Sequence, residues 1–206
     1  VKNFMTNHNH SLSVITVVKN DQENIEKTIK SVISNKKGLK LEYIIIDGKS
    51  GDKTLSIIKK YKKKINKIIS EKDKGIYDAM NKGIKKSTGN IVGILNSDDY
   101  YYKNTFKLVN EYFNKNDIDF IFGSVNHKRI YHGFYPEKIW YKMNIYPSHS
   151  VSFFIKRNSQ FKIGLYDNKF RFSADRDLIY RLTKSTMRGI STKKSEIFGK
   201  FAVDGI

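Results

Sequence analysis

Cysteine is missing altogether from this sequence. That excludes disulfides and thiolate metal ligands, so any bound ion has to rest on oxygen or histidine. No stretch of about 18 consecutive apolar residues occurs, so nothing here is built to cross a bilayer as a helix. The opening, VKNFMTNHNHSLSV, lacks the apolar core of a secretory signal. Only two prolines are present, and no proline-rich, repeated or low-complexity segment divides the 206 residues. The expectation is one domain, residues 11–206, behind a disordered leader, residues 1–10. The final FGKFAVDGI carries no polar tail and reads as a chain trimmed short of its natural end.

Acidic residues are scarce as well, 20 against 39 lysines and arginines, for a net charge of +19. Only six of those basic residues are arginine, so the charge sits on compact, hydrated ammonium groups rather than on bidentate forks. Lysine, asparagine and isoleucine are abundant together, which an AT-rich coding bias explains. Attraction to anionic lipid or to a phosphorylated substrate is the functional reading beside it. No basic and aromatic motif of a nucleic-acid module is present, so nucleic acid is not expected as a partner.

What the sequence does have is alternation. LSVITVV (Leu12–Val18) reads as a strand, and NDQENIEKTIKSVISN as a helix with Asn20 and Glu23 spaced as a capping box and Ile25, Ile29, Val32 and Ile33 along one face. LEYIIID (Leu41–Asp47) is a second strand. KTLSIIKKYKKKINKII is a second helix, with Leu55, Ile58, Tyr61, Ile65 and Ile69 inward and Lys59, Lys60, Lys62, Lys63, Lys64 and Lys67 on the other face. A short strand over 66–70 follows, then a helix marked by Ile76, Met80 and Ile84, then a strand over 91–95. Beyond it the helix NTFKLVNEYFNKN, the strands IDFIFGSV, HKRIYHGFY and SVSFFIK, and the helix DRDLIYRLTKS complete the pattern. Strands alternating with helices predict an α/β fold around a mostly parallel sheet, whose ligands bind beyond the carboxyl ends of the strands.

Three acidic clusters lie just past strands: DGKSGDKT from Asp47, SEKDKGIYDAMNKG from Ser70, and NSDD, Asn96 to Asp99. If the strands are parallel neighbours, all three open onto one sheet edge and form one site. Asp47 is either a turn former or a carboxylate for a base or ribose, while Ser50, Asp52 and Thr54 serve equally well as caps of the next helix. Asp98 and Asp99, adjacent after an apolar strand, suit Mg²⁺ or Mn²⁺ with coordination left over for phosphate oxygens.

In this order and at these intervals, SVITVVKND, EYIIIDGKSGDKT, SEKDKGIYDAMNKGI and GNIVGILNSDD resemble the nucleotide-sugar half of family 2 glycosyltransferases with the GT-A fold, of the type that builds bacterial capsule, colanic acid and lipopolysaccharide. The likeness runs on through YPSHSVSFFIKRNSQFKIGLYDNKFRFSADRDLIYRL. It implies a mostly parallel central sheet flanked by helices, with a smaller mixed sheet on the acceptor side, residues 11–100 holding the nucleotide sugar and 101–206 the acceptor. It implies an inverting transfer from a nucleoside diphosphate donor, uridine by family habit, to a glycan or lipid-linked acceptor, with Mn²⁺ or Mg²⁺ as cofactor, in the cytoplasm or at the inner face of the plasma membrane. Residue by residue it implies donor contacts at Val18, Asn20, Asp47, Ser50, Asp73, Gly75, Ile76, Asp78, Asn81, Asn96 and Asp98, and the cation on Asp99. Asp175 aligns best with the catalytic base and Asp177 is the runner-up, although a helix start favours aspartate in any case. His149 is either a satisfied polar residue or an acceptor or phosphate contact. The sequence departs from the family pattern at Lys49, Lys53, Lys72 and Ser150, where glycine, glycine, proline and glutamine are usual. A nucleotidyltransferase or an inactive sugar-nucleotide or anion-binding module are the rival readings, the former weakened because VVKNDQEN holds no glycine-rich phosphate loop.

Overall fold

The structure is a computed structural model that describes residues 10–139 and 145–202. The expected leader lies outside these residues except for His10, whose N–H donates to Asn110 Oδ1 at 3.1 Å. The first half supplies β1 (Leu12–Val18), α1 (Ile25–Ser34), β2 (Leu41–Asp47), α2 (Thr54–Lys60), β3 (Lys67–Ser70), α3 (Ile76–Lys86) and β4 (Ile91–Asn96). Next come β5 (Tyr100–Tyr101), α4 (Thr105–Lys115), β6 (Phe120–Phe122), β7 (Ser124–His127), β8 (Arg129–Tyr131), β9 (Phe153–Lys156), α5 (Arg157–Ile163), α6 (Ala174–Lys184), β10 (Gly189–Ser191) and β11 (Ile197–Lys200).

A seven-stranded sheet in the order β10-β6-β9-β4-β1-β2-β3 forms the centre. Only β9 runs against its neighbours, antiparallel to β4 and β6. Every residue of β1 is buried, as expected of a central parallel strand covered on both faces. Its side chains alternate between two cores. Leu12 and Val14 pack with Ile29, Ile58 and Phe106 on one face, and Ile15 and Val17 pack with Met80, Ile84 and Leu178 on the other. On the second face α3 lies so close to β1 that a Cβ on Gly83 would stand 2.3 Å from Ile15 Cγ2. The smaller sheet, β5-β11-β7-β8, mixes one parallel pairing with two antiparallel ones. The expected α/β architecture is therefore present: a mostly parallel central sheet flanked by helices, and a smaller mixed sheet.

Several local expectations give way. The capping box does not form: α1 begins at Ile25 with no side-chain cap, because Asn20 is used across loops instead. The second helix stops at Lys60, since Asn66 bonds Tyr43 through both its N–H, at 2.8 Å, and its Oδ1, at 2.9 Å, which pulls β3 onto the sheet edge. Lys67 consequently leaves the expected basic face and meets Glu42 at 2.7 Å. Ile76 is exposed, and Tyr77 takes the inward position ahead of Met80 and Ile84. IDFIFGSV splits at Gly123 into β6 and β7, one in each sheet.

Candidate active site

β1, β2 and β4 start in register, Leu12 opposite Leu41 and Ile91, so their carboxyl ends meet at one edge together with β3. There the loops after β1 and β2 are stitched together. The Val18 carbonyl accepts Gly48 N–H at 2.8 Å, Asn20 N–H donates to Ser50 Oγ at 2.8 Å, and Asn20 Oδ1 accepts Gly51 N–H at 2.8 Å. Asn20 sits at φ +52°, a left-handed conformation that asparagine tolerates better than most residues. Asp47 is fully buried and accepts the hydroxyls of Ser50 at 2.5 Å and Ser70 at 2.6 Å. Asp52 accepts the N–H of Thr54 at 3.0 Å and of Gln22 at 3.2 Å, which is the structural role open to it from sequence.

The loop before α3 is organised by a lysine. Lys82 Nζ lies 2.6 Å from Asp73, 3.1 Å from Glu71 and 3.4 Å from Asp78. Asp78 also accepts Lys74 N–H at 3.0 Å, and Gly75, at φ +135°, faces open space at the helix start. Asp73 reaches the β2 loop, since a Cβ on Gly48 would lie 2.8 Å from its Oδ2. Asn81 is spent on the opposite side: its amide clamps both the carbonyl of Tyr166, at 2.8 Å, and its N–H, at 3.0 Å.

At the end of β4 the two adjacent aspartates differ. Burial pushes the Asp98 carboxyl up, and the charge of Asp21 adds to that. Asp99 is 3% exposed. Burial, then the negative charge of Asp98, push its pKa up to about 7, although it accepts Ser150 Oγ at 2.7 Å and Ala202 N–H at 3.0 Å. Nearby, Asn96 Oδ1 is buried with no hydrogen-bond partner. Among the described residues no three histidine, aspartate or glutamate side chains form a metal cage. The donors at hand are nevertheless all oxygens, two of them on carboxylates that no cation among the described residues pairs with, and that chemistry fits a hard divalent ion.

Asp175 opens α6 and projects to the same region. Its Oδ1 accepts the Tyr77 hydroxyl at 2.7 Å, its Oδ2 the Tyr146 hydroxyl at 2.8 Å, and His149 Nδ1 lies 3.4 Å from Oδ2. Burial opposes ionisation, but His149 and the two hydroxyls outweigh it and hold Asp175 below the ordinary aspartate range. Burial likewise drives the His149 imidazole down, against the pull of Asp175, and its Nε2 is buried without a partner. Asp177, two residues on and so on the opposite face of α6, is committed elsewhere, forked onto Arg181 with both contacts at 2.9 Å. Arg181 in turn holds the carbonyls of Ile163 and Leu165.

The structure thus brings Asn20, Asp47 and Ser50 together, gathers Asn96, Asp98 and Asp99 at the next strand end, and joins His149 to Asp175. Asn81 and Asp177 serve the scaffold. Sequence reasoning missed Tyr77, Tyr146 and the Tyr166 ring that stacks on Tyr77 at 5.4 Å. Tyr77 was legible in principle, because it shares the spacing of Met80 and Ile84. A further unforeseen link is that consecutive residues serve both acid centres, His149 at Asp175 and Ser150 at Asp99.

This sheet order, with acid groups along one carboxyl edge and a small mixed sheet beside it, is the GT-A fold of glycosyltransferases. Staphylococcus aureus TarS 1-349, solved in complex with UDP-GlcNAc, superposes with a TM-score of 0.78 over 95% of this chain and 60% of that one, at 16% identity. A mannosyltransferase from Pyrobaculum calidifontis, solved with GDP-Man and Mn²⁺, gives a TM-score of 0.70 at 16% identity over 95% of this chain and 58% of its own. The profile of Glycosyl transferase family 2 matches residues 13–179, and the chain belongs to that family. Among curated relatives, a PGL/p-HBAD biosynthesis glycosyltransferase of Mycobacterium bovis is 30% identical over 68% of this chain and 57% of its own length. The teichuronic acid biosynthesis glycosyltransferase TuaG of Bacillus subtilis is 32% identical over 57% of this chain and 48% of its own. The chain therefore spans about half the length of these relatives.

Proposed function

We propose that residues 11–206 form one glycosyltransferase domain that moves a sugar from a nucleoside diphosphate donor, UDP in the first instance, to a glycan or lipid-linked acceptor in bacterial surface polysaccharide synthesis. The observation that carries this reading is Asp175 accepting two phenol hydroxyls beside His149, whose chain neighbour Ser150 bonds Asp99 at the carboxyl edge of the sheet. Residues 11–100 hold the donor: the Asp47 pocket takes the base and ribose, and the loop from Asp73 to Asp78 covers the sugar diphosphate. Asp98, Asp99 and Asn96 would hold a divalent cation, with Asp99 exchanging one of its present donors. When bound, that cation supplies charge neutralisation for the departing diphosphate. Residues 101–206 hold the acceptor, and Asp175 withdraws the proton of its hydroxyl, which gives inversion at the anomeric carbon. His149, neutral and beside Asp175, offers Nε2 to the acceptor or a phosphate. Orientation of two substrates by two halves of one sheet contributes through proximity.

The test is thermal stability against uridine, guanosine, cytidine and thymidine diphosphates, each with Mn²⁺, Mg²⁺ or chelator. Ligand at 100 times its dissociation constant adds about 2.7 kcal/mol, a readily measured rise in melting temperature. A metal-dependent rise with one nucleotide, lost in Asp99→Ala, is expected; no rise with any combination would overturn the donor site.

A further inference from the structure

Apolar side chains scattered singly over a surface are ordinary, whereas apolar groups clustered within a polar rim mark interaction sites. Among the described residues Ile76, Phe170 and Phe172 are 42%, 44% and 74% exposed. Ile76 is next in the chain to Tyr77, which bonds Asp175, and Phe170 and Phe172 lie in the segment that leads into α6, where Asp175 stands. The two rings alternate with cations in the order Lys169, Phe170, Arg171, Phe172, and the guanidinium of Arg171 stands 5.1 Å from the centre of the Phe172 ring. The start of the loop is held in place. Lys169 N–H and Phe170 N–H donate to Asp167 at 2.9 and 3.1 Å, and Asn81 clamps Tyr166 to α3.

We propose that this loop docks the protein on an anionic lipid bilayer. Apolar rings interleaved with cations match the boundary between acyl chains and anionic headgroups, where the rings enter and the cations meet lipid phosphate. The net charge of +19 supplies attraction at longer range. The lysine-rich stretch at Lys59, Lys60, Lys62, Lys63 and Lys64 is exposed too, but Ile58 and Ile65 beside it are buried, so it attracts without inserting. Docking is independent of sugar transfer. Combined with the transfer reading, it turns the mouth at Asp175 toward the membrane and selects acceptors whose hydroxyl lies at the bilayer surface.

The experiment is cosedimentation of the 206-residue chain with phosphatidylcholine vesicles, with and without phosphatidylglycerol. The wild type should partition onto the anionic vesicles. Phe170→Ser with Phe172→Ser should cut that partition by about tenfold or more, with an unchanged melting temperature, and Phe172→Trp should keep it. Neutralising the five lysines to glutamine should cost less. Equal binding by the double serine variant, or absence of binding to anionic vesicles, would overturn the proposal. So would retention of the chain on immobilised oligosaccharide through Phe172 in place of vesicles. The nucleotide melting panel is run on the same variants. A failed nucleotide response with intact vesicle binding removes the donor site and leaves the docking loop standing.

Discussion

Asp99 and Asp175 make an instructive pair. Both are withdrawn from water and both accept two hydrogen bonds, yet burial and Asp98 push Asp99 up to about 7 while Asp175 is held low. The difference lies in the nearest ionisable neighbour. Asp99 has another carboxylate at its side, and Asp175 has an imidazole and two phenols. Counting hydrogen bonds would have ranked them equal; a neighbouring negative charge at Asp99, and none beside Asp175, separates them. On the proposed reading the first centre would take a cation and the second would accept a proton.

The sharpest way to break that comparison is to neutralise each acid in turn. Asp175→Asn should lower transfer by about 10²- to 10⁴-fold while the nucleotide-dependent rise in melting temperature survives, which separates chemistry from donor binding. If both fall together, Asp175 supports the donor site rather than the proton transfer.

Next in size is the pH response of the metal-free protein. Because folding raises the pKa of Asp99 from 3.8 to about 7, its contribution to stability is complete below the unfolded value and is lost as pH rises through about 7. Asp175, whose pKa is lowered, behaves oppositely: its contribution is present above the unfolded value and fades as pH falls through the folded one. Melting curves in chelator should therefore show Asp99→Asn flattening the neutral side of the profile and raising stability above neutral pH.

Tyr77→Phe and Tyr146→Phe each remove one donor to Asp175. The acid limb of the pH–rate profile should move up toward the ordinary aspartate value, transfer should fall several-fold, and stability should drop by about 1 kcal/mol. An unmoved profile would mean that the hydroxyls merely fill space. The smallest effect is expected from Asp177→Asn, which frees a partly exposed Arg181 for a cost of about 1 kcal/mol or less and leaves transfer intact. Loss of transfer there would exchange the roles of the two aspartates.

The sheet and its carboxyl edge were largely readable from sequence, because β1, β2 and β4 announce themselves as apolar runs and β2 and β4 stop at Asp47 and Asn96. The placing of Asp47, Asn96, Asp98 and Asp99 at strand ends followed from that. The Asp175 centre was less readable, since it gathers Tyr77, Tyr146 and His149 from segments up to 98 residues apart. Local periodicity also misassigned the inner face of α3 by one position, placing Ile76 where Tyr77 belongs. The length of α2 was misjudged for a related reason. Isoleucines at helical spacing continue past Lys60, but one backbone and one side-chain hydrogen bond between Asn66 and Tyr43 convert that continuation into a sheet edge.

The reversed strand β9 has one more consequence. A parallel strand delivers its finish to the carboxyl edge, whereas β9, running the other way, delivers its beginning. The short turn ahead of Phe153 thus arrives there with two neighbouring side chains pointed at different carboxylates. With β9 held in register, deleting Val151 or Ser152 would slide the pair along by one, handing Ser148 to Asp175 and His149 to Asp99. The surroundings of the two carboxylates are geared to one another by one peptide bond.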